Sequence, residues 1–424
     1  MNKLFVGVVG LGTVGKAVVK TLQDNKELIK SKAGLEIIPK IGVARRIDNK
    51  NLDIPLSMDI NEILLDEEIG VVVELVGGVD SAYEIANLAF KHKKAFVTAN
   101  KALLAYHRLE LEARRDGLPL GFEASVCGAI PIITVIKEGL CADRILSIRG
   151  LMNGTSNYVL TQMKKEGTSL ELALQQAKRL GYAEEDPKMD LNGSDSAHKL
   201  LILASIAYGV HARPEEILIE GIDGLEAMDL EFAKGLGREV KLLGIARLVG
   251  GRLEMRVGLA LLPSTSKLAS VDGIMNAVSV VGERMGEGLH YGAGAGGFQT
   301  AGAVISDLIR IARGLKSRGR IECSHRAFSY DGGESPDLIP QGELVYPYYL
   351  RLVIARHANA KEILEFLEKQ GLRIESSSQK EASGGYLMLV IAPCREYAFK
   401  AALKGLEKLE GLEAKPFFIR FEDE

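Results

Sequence analysis

Residues 4–19 read LFVGVVGLGTVGKAVV, a strand, a glycine turn and a helix start in immediate succession. Leu4 to Val9 is an unbroken apolar run, the pattern of a strand buried on both faces. Gly10-Leu11-Gly12-Thr13-Val14-Gly15 follows at once, and Lys16 to Val19 continue as a helix. That order, strand then GxGxxG then helix, is the one that receives a dinucleotide. Gly10, Gly12 and Gly15 permit a tight turn, close approach of backbone to a pyrophosphate, and close contact of helix with strand. The helix that follows offers its free N–H groups and positive dipole end to phosphate, with Thr13 and Val14 of the turn among the cofactor contacts.

The next strands extend this platform. Leu35 to Ala44 is a second strand. An acid at its end would hold the ribose hydroxyls of NAD, but Arg45 and Arg46 stand there instead. A guanidinium attracts a 2′-phosphate, so the pair favours NADP. A solvated basic pair is the plain alternative, and Asp48 leaves NAD use open. Val71 to Gly78 is a buried strand running into a loop at the carboxyl edge of the sheet, where ligands bind in open α/β folds. Glu74 reads as a strand-end acid, whereas Val76, Gly77 and Gly78 are expected beside a nicotinamide. Phe96 to Leu103 repeats strand, polar turn and helix, with Thr98 and Lys101 at the turn. A lysine at a helix start conflicts with the helix dipole, which argues for function over a surface role.

The chain has 424 residues, 47% hydrophobic and 26% charged, enough for two or three globular domains with substantial cores. A net charge of -3 predicts no attraction to nucleic acid or membrane. No apolar run is long enough to span a bilayer, and MNKLFVGVVGLG passes straight into a strand without a cleavable signal pattern. Cys127, Cys141, Cys323 and Cys394 form no CxxC and no zinc spacing, so reduced thiols in a cytoplasmic protein are expected.

The densest polar stretch is Gly181–Lys199, GYAEEDPKMDLNGSDSAHK. Asp186-Pro187 and Asn192-Gly193 are turn pairs, and a helix is expected to begin near Ser194 or Asp195. Asp195 and Lys199 are four apart, on one face of that helix. An acid and an ammonium held beside a glycine-bearing loop could bind and protonate a small polar substrate. A solvated loop followed by an ordinary helical ion pair is the alternative. Ala177, Gly181-Tyr182-Ala183, Asp186-Pro187, Asp190-Leu191, Gly193, Asp195 and Lys199 together resemble the signature of homoserine dehydrogenases, with each fixed position filled. Thr98 to Lys101 resembles that family's TxNK segment, Asn153 to Tyr158 (NGTSNY) its active-site helix start, and the glycine-rich stretch Leu289 to Thr300 holds a GAGxxxT run like the family's.

The likeness extends over essentially the whole chain. It implies NAD(P)H-dependent reduction of L-aspartate 4-semialdehyde to L-homoserine, and the reverse, in threonine, methionine and isoleucine biosynthesis. Lys199 is then the general acid, because an ammonium beside Asp195 can stabilise and protonate an oxyanion. Asp195 orients Lys199 and binds substrate, and Lys101 steadies carbonyl and cofactor. The resemblance assigns the substrate ammonium to Glu184, the substrate pocket to Asn153 and Thr155, and further cofactor contacts to Gly181 and Gly302. Glu123 lies in the apolar run Leu120 to Ile133 and needs a partner. Backbone carbonyls near Val126, Gly128 and Ile130 could join it around a monovalent cation, and the family's sodium site matches these four positions. On the residues alone, Glu123 reads as a hydrogen-bonded strand acid. A homodimer or tetramer is the family expectation.

The fold expected is α/β. A Rossmann-type dinucleotide-binding domain spans 1–130 with a return helix at about 300–320, and an α+β substrate and dimerisation domain spans 131–299. The tail, 346–424, follows a linker through Gly332-Gly333-Glu334-Ser335-Pro336. Its order, strand, helix, strand, strand, helix, strand, is ferredoxin-like and resembles an ACT domain, which would take an amino-acid effector at the first strand–helix turn. That turn, Arg356-His357-Ala358-Asn359-Ala360, lacks glycine and proline, so threonine feedback and a purely structural tail both stand. Two other functions stay open. Cys127 could be the nucleophile of a thiol-dependent aldehyde dehydrogenase, although its apolar neighbours suit a small buried hydrophobe. A non-catalytic nucleotide- or amino-acid-sensing regulator would use the same platform.

Overall fold

The computed structural model describes residues 2–47, 52–319, 321, 327–328, 335–355, 359–380 and 385–423. Asp48, Cys323, Gly332, Gly333 and Glu334 of the linker, and Arg356, His357 and Ala358 of the tail turn lie outside the described residues. Strands β1 (Lys3–Val9), β2 (Glu36–Val43), β3 (Leu56–Ser57), β4 (Ile69–Glu74), β5 (Ala95–Thr98) and β6 (Leu120–Gly121) form the first sheet. All its pairings are parallel, in the order β3-β2-β1-β4-β5-β6. The order reverses between β1 and β4, and that switch point opens the crevice in which such sheets bind ligands.

The glycines are required there by contact. Gly10 has φ +97, and a Cβ on it would lie 2.5 Å from the Leu75 carbonyl at the end of β4. A Cβ on Gly15 would lie 2.0 Å from the Gly10 oxygen. The helix Thr13–Asp24 starts at Gly12 with no side-chain cap and no acid in its first turn. The helix Gly297–Arg318 then buries Ala301, Val304 and Leu308 in one apolar cluster with Val6, Val8, Val71 and Val97. It begins at Gly297, a little before the expected start at about 300, so the end of the glycine run is helical.

The second sheet holds β7 (Ile145–Leu151), β8 (Leu218–Ile219), β9 (Arg238–Val249), β10 (Arg252–Pro263), β11 (Met275–Gly282), β12 (Gly286–Ala293), β13 (Val345–Ile354), β14 (Ile374–Lys380), β15 (Gly385–Arg395) and β16 (Phe417–Phe421). Its order is β12-β11-β7-β9-β10-β16-β13-β15-β14, with β8 beside β10. The helix Ser194–Tyr208 is buried from Asp195 to its end and shares a core with β7, β9 and β10. A helix buried all round belongs to a core, which explains why Leu200 to Ala207 carries so few polar residues.

The tail has the strand–helix order read from the sequence, with helices Ala360–Lys369 and Glu396–Leu406 between its strands. Its sheet is continuous with the middle one, because β16 pairs parallel with β10 through Ala260–Arg420 and Leu261–Phe421. Buried charges fasten this junction. Arg256, fully buried, donates to Glu422 at 2.6 Å and to Glu254 at 3.1 Å, and Arg247 bonds the same two carboxylates. Arg420 donates to Glu396 from Nη2 at 2.6 Å and also bonds Glu220, beside β8.

The apolar run Leu120 to Ile133 departs from expectation. The strand ends at Gly121, and Glu123–Ser125 is one turn of 3-10 helix, so Glu123 is not a strand acid. Cys127 and Gly128, at φ 54 and 47, then turn the chain away from the sheet. The expected loop before Ser194 likewise contains the short helix Lys188–Leu191, with Pro187 at its N-cap.

Removing one member of a buried charge network strands its partner, at a cost of about 3–5 kcal/mol. Glu422→Ala should therefore lose stability in that range by urea unfolding, with the loss traceable to Arg256. A change below about 1 kcal/mol would mean the junction is held by apolar contacts alone.

Candidate active site

Gly193 sets the start of the site helix. It has φ +86, and a Cβ there would meet Val257, Ile219 and the Glu220 carbonyl at 3.1–3.2 Å. The helix that follows places Asp195 in its first turn, where the dipole favours an acid. Lys199, one turn later, points its ammonium back to Asp195 Oδ2 at 2.8 Å and to the Met152 carbonyl at 2.6 Å. Lys101 reaches the other oxygen, with Nζ 2.9 Å from Asp195 Oδ1. Asn153, at the end of β7, caps its own helix with Oδ1. Its Nδ2 donates to Asp195 Oδ2 at 2.9 Å and to Asp190 Oδ1 at 2.6 Å. Thr155 donates to the Tyr182 carbonyl at 2.7 Å, tying this helix start to the loop after Gly181.

Burial and charge act against each other in this cluster. Burial opposes ionisation of Asp195, but Lys199 and Lys101 outweigh it and hold the carboxyl well below its ordinary value. Burial disfavours the Lys199 cation, and Asp195 reverses that and raises it. Asp190 is pushed upward, first by burial, with the Asn153 hydrogen bond offsetting part of the effect. Two carboxylates thus sit on one amide with opposite tendencies, Asp195 held ionised by its two lysines and Asp190 pushed toward protonation by burial. His198 is buried on the same helix, its cation disfavoured by burial.

The glycine run lies between the dinucleotide turn and this cluster. A Cβ on Gly297 would meet Thr13 at 3.0 Å, and one on Gly128 would meet the Gly294 oxygen at 2.8 Å. The Val76 to Gly78 loop is on the same rim, since Asn100, next to Lys101, donates to the Gly78 carbonyl at 2.7 Å. A side chain at Gly12 would meet nothing within 4 Å, so that face of the turn is open for a phosphate. Arg45 and Arg46 are exposed at the end of β2, and Arg45 reaches Ser81 Oγ at 3.4 Å.

Several expected residues lie outside this hydrogen-bonded cluster. Glu184 is exposed and takes no part in the hydrogen bonds or ion pairs of the cluster, because the segment before Pro187 turns outward. Gly181 and Gly302 are exposed too, the latter on the outer face of its helix. Glu123 is buried and accepts from Ile133 N and Thr134 N, both at 2.9 Å, and from the Thr134 hydroxyl. Cys127 is buried, and burial raises its thiol despite an opposing pull from Lys199, which disfavours a thiolate nucleophile there. Asp190 and the Met152 carbonyl were given no role from the sequence. Asp190 is a fixed position of the signature, so a signal for it was present.

Residues 131–309 match the family model described as homoserine dehydrogenase. Residues 10–123 match the one described as homoserine dehydrogenase, NAD binding domain. The chain is 45% identical over 427 residues to the homoserine dehydrogenase of Helicobacter pylori, covering 100% of both. It resembles the crystal structure of a homoserine dehydrogenase from Thiobacillus denitrificans with a TM-score of 0.93 and 38% identity, over 99% of this chain and 98% of that one. A hyperthermophilic archaeal homoserine dehydrogenase, solved in complex with NADPH, matches 74% of this chain and 98% of its own at TM-score 0.62 and 26% identity.

A carboxyl held below its ordinary value contributes stability that is present above that value and lost as pH falls through the folded one. Asp195→Asn should therefore be less stable than the parent at pH 7, with the gap closing as pH falls below about 4. Chemical denaturation across that range checks it, and a gap independent of pH would contradict the ion pairing.

Proposed function

Because the chain belongs to the homoserine dehydrogenase family, we propose that the cluster around Asp195 carries out the interconversion of L-aspartate 4-semialdehyde and L-homoserine. The observation that carries this reading is one carboxylate gripping two ammonium groups beside a dinucleotide turn. A bound reduced nicotinamide supplies the hydride. Lys199 donates a proton to the aldehyde oxygen as charge gathers there, and Asp195 keeps that ammonium oriented. Lys101 steadies the same oxygen and borders the cofactor. Asn153 and Thr155, with Asp190, form the polar wall of the substrate pocket, and Glu184, exposed at the start of the same polar stretch, meets the substrate ammonium. In the oxidising direction Lys199 receives the proton back.

Gly10, Gly12, Thr13, Val14 and Gly15 would hold the dinucleotide, with Val76, Gly77 and Thr98 on the side of its nicotinamide. Arg45 and Arg46, both exposed at the end of β2, support NADP over NAD. A sodium ion at Glu123, Val126, Gly128 and Ile130 is supported by the left-handed turn at Cys127 and Gly128. A carboxylate offers about four lone-pair sites, and Glu123 holds three donors, leaving room for a cation. The strand order β16-β13-β15-β14, that of a ferredoxin-like unit, supports reading the tail as an ACT domain. An amino-acid effector there, a homodimer or tetramer, a cytoplasmic location and service in threonine, methionine and isoleucine synthesis belong to the same reading by family likeness. Among the described residues no helix is long and apolar enough to cross a membrane.

Lys199→Ala should lose kcat by roughly 10²- to 10⁴-fold, the usual worth of a general acid, while NADPH affinity is retained. Parental turnover in this variant would remove Lys199 from the mechanism. Arg45→Ala combined with Arg46→Ala should raise KM for NADPH on the order of tenfold, with KM for NADH unchanged, consistent with loss of a charge-assisted phosphate contact. Equal effects on both cofactors would refute the 2′-phosphate assignment.

A further inference from the structure

Glu74 ends β4 at the switch point of the first sheet and is fully buried. Its two oxygens hold two different segments. Oε1 accepts from the Val76 backbone N–H at 2.7 Å, and Oε2 accepts from the Thr98 hydroxyl at 2.5 Å. The Thr98 hydroxyl in turn accepts from the Asn100 N–H at 2.9 Å. Asn100 does two further things. Its Nδ2 donates to the Gly78 carbonyl at 2.7 Å, and its Oδ1 accepts from Leu103 N at 3.0 Å, capping the helix that starts at Lys101. The line therefore runs from Glu74 through Thr98 and Asn100 to Lys101, whose ammonium meets Asp195. A simple strand-end acid would point to solvent. Here burial without a cationic partner carries a desolvation cost, and what it secures is the geometry of two loops at once.

We propose that Glu74 is a positioning residue for hydride transfer, locking the Val76–Gly78 loop and the helix start bearing Lys101 into one rigid rim. The inference rests on the reading of Lys101 given above. Glu74 touches neither substrate nor cofactor in this scheme. It acts through Thr98, Asn100 and Lys101 on the substrate side and through Val76 on the cofactor side. Glutamine in its place keeps an acceptor for Val76 but must set an amide N–H or a shared oxygen against Thr98. Alanine removes both acceptors.

The test uses Glu74→Gln and Glu74→Ala in the full chain, with NADPH affinity by fluorescence titration, kcat and KM for aspartate semialdehyde, and thermal unfolding. Misplaced reacting groups cost on the order of 10- to 100-fold. Glu74→Gln should lower kcat toward that range and weaken NADPH binding several-fold while Tm stays near the parent, and Glu74→Ala should do more of both. In a Lys101→Met background Glu74→Gln should lower kcat by less than it does in the parent, because the part of its effect that runs through Lys101 is already lost. Parental kcat and NADPH affinity in Glu74→Gln, with only Tm reduced, overturns the proposal, as does a full extra loss of kcat in the Lys101→Met background. If Lys101→Met alone keeps parental kcat, the reading of Lys101 fails separately. Glu74 is then judged by NADPH affinity, and an unchanged affinity overturns it.

Discussion

A single carboxylate, Asp195, lies between two ammonium groups that arrive from different parts of the chain. Lys199 comes from the same helix and Lys101 from the edge of the dinucleotide sheet. Like charges so close would repel and, when buried, would lose their protons. The shared carboxylate removes that penalty and holds the amines aimed at one point. Most of the surrounding structure serves this arrangement. The site helix is buried from Asp195 to Tyr208, so it cannot shift to relax the charges. Gly193 admits the helix start against Val257 and Glu220, and Asn153 bridges Asp195 to Asp190.

The two sheets divide the work. The parallel sheet fixes the glycine turn, the Val76 to Gly78 loop and Lys101 along one crevice. The second sheet fixes Asn153 at the end of β7 and backs the helix that carries Lys199. The glycine run joins β12 to the dinucleotide side, with Gly294 beside Gly128 and Gly297 beside Thr13. Hydride transfer demands that cofactor and substrate be aligned within fractions of an ångström. Bonds that cross from one sheet to the other, such as Lys101 to Asp195, are where that alignment is set. The tail adds stiffness from behind, since Arg420 bonds Glu220 on the strand–turn that leads, through Ile222 N and the Leu191 carbonyl, to the Asp190 segment.

Much of this was legible in the residues. The apolar run before GxGxxG dictates a buried strand, and the parallel sheet follows from repeated strand–turn–helix units. The pair Asp195 and Lys199 could be read from spacing, because four positions on a helix face one another. The family signature then chose between a surface ion pair and a catalytic one. What escaped was three-dimensional. Glu184 and Asp190 are both acids of one polar stretch, and only folding shows that Asp190 turns inward while Glu184 turns out. Glu123 looked like a strand acid because its neighbours are apolar, yet Cys127 and Gly128 take left-handed conformations that no periodicity announces. Glu74 looked ordinary for a similar reason, since its partners Val76 and Thr98 are brought together by parallel pairing of β4 with β5. The continuity of the tail with the middle sheet depends on two residue pairs and has no local signal.

The most direct measurement is a crystal structure of the protein with oxidised nicotinamide cofactor and L-homoserine bound. The homoserine hydroxyl oxygen should lie within about 3 Å of Lys199 Nζ, the reach of a proton-transferring group, with Asp195 still gripping that ammonium and Lys101. A hydroxyl turned away from Lys199, or a Lys199 ammonium released from Asp195 and facing solvent, would contradict proton transfer by Lys199.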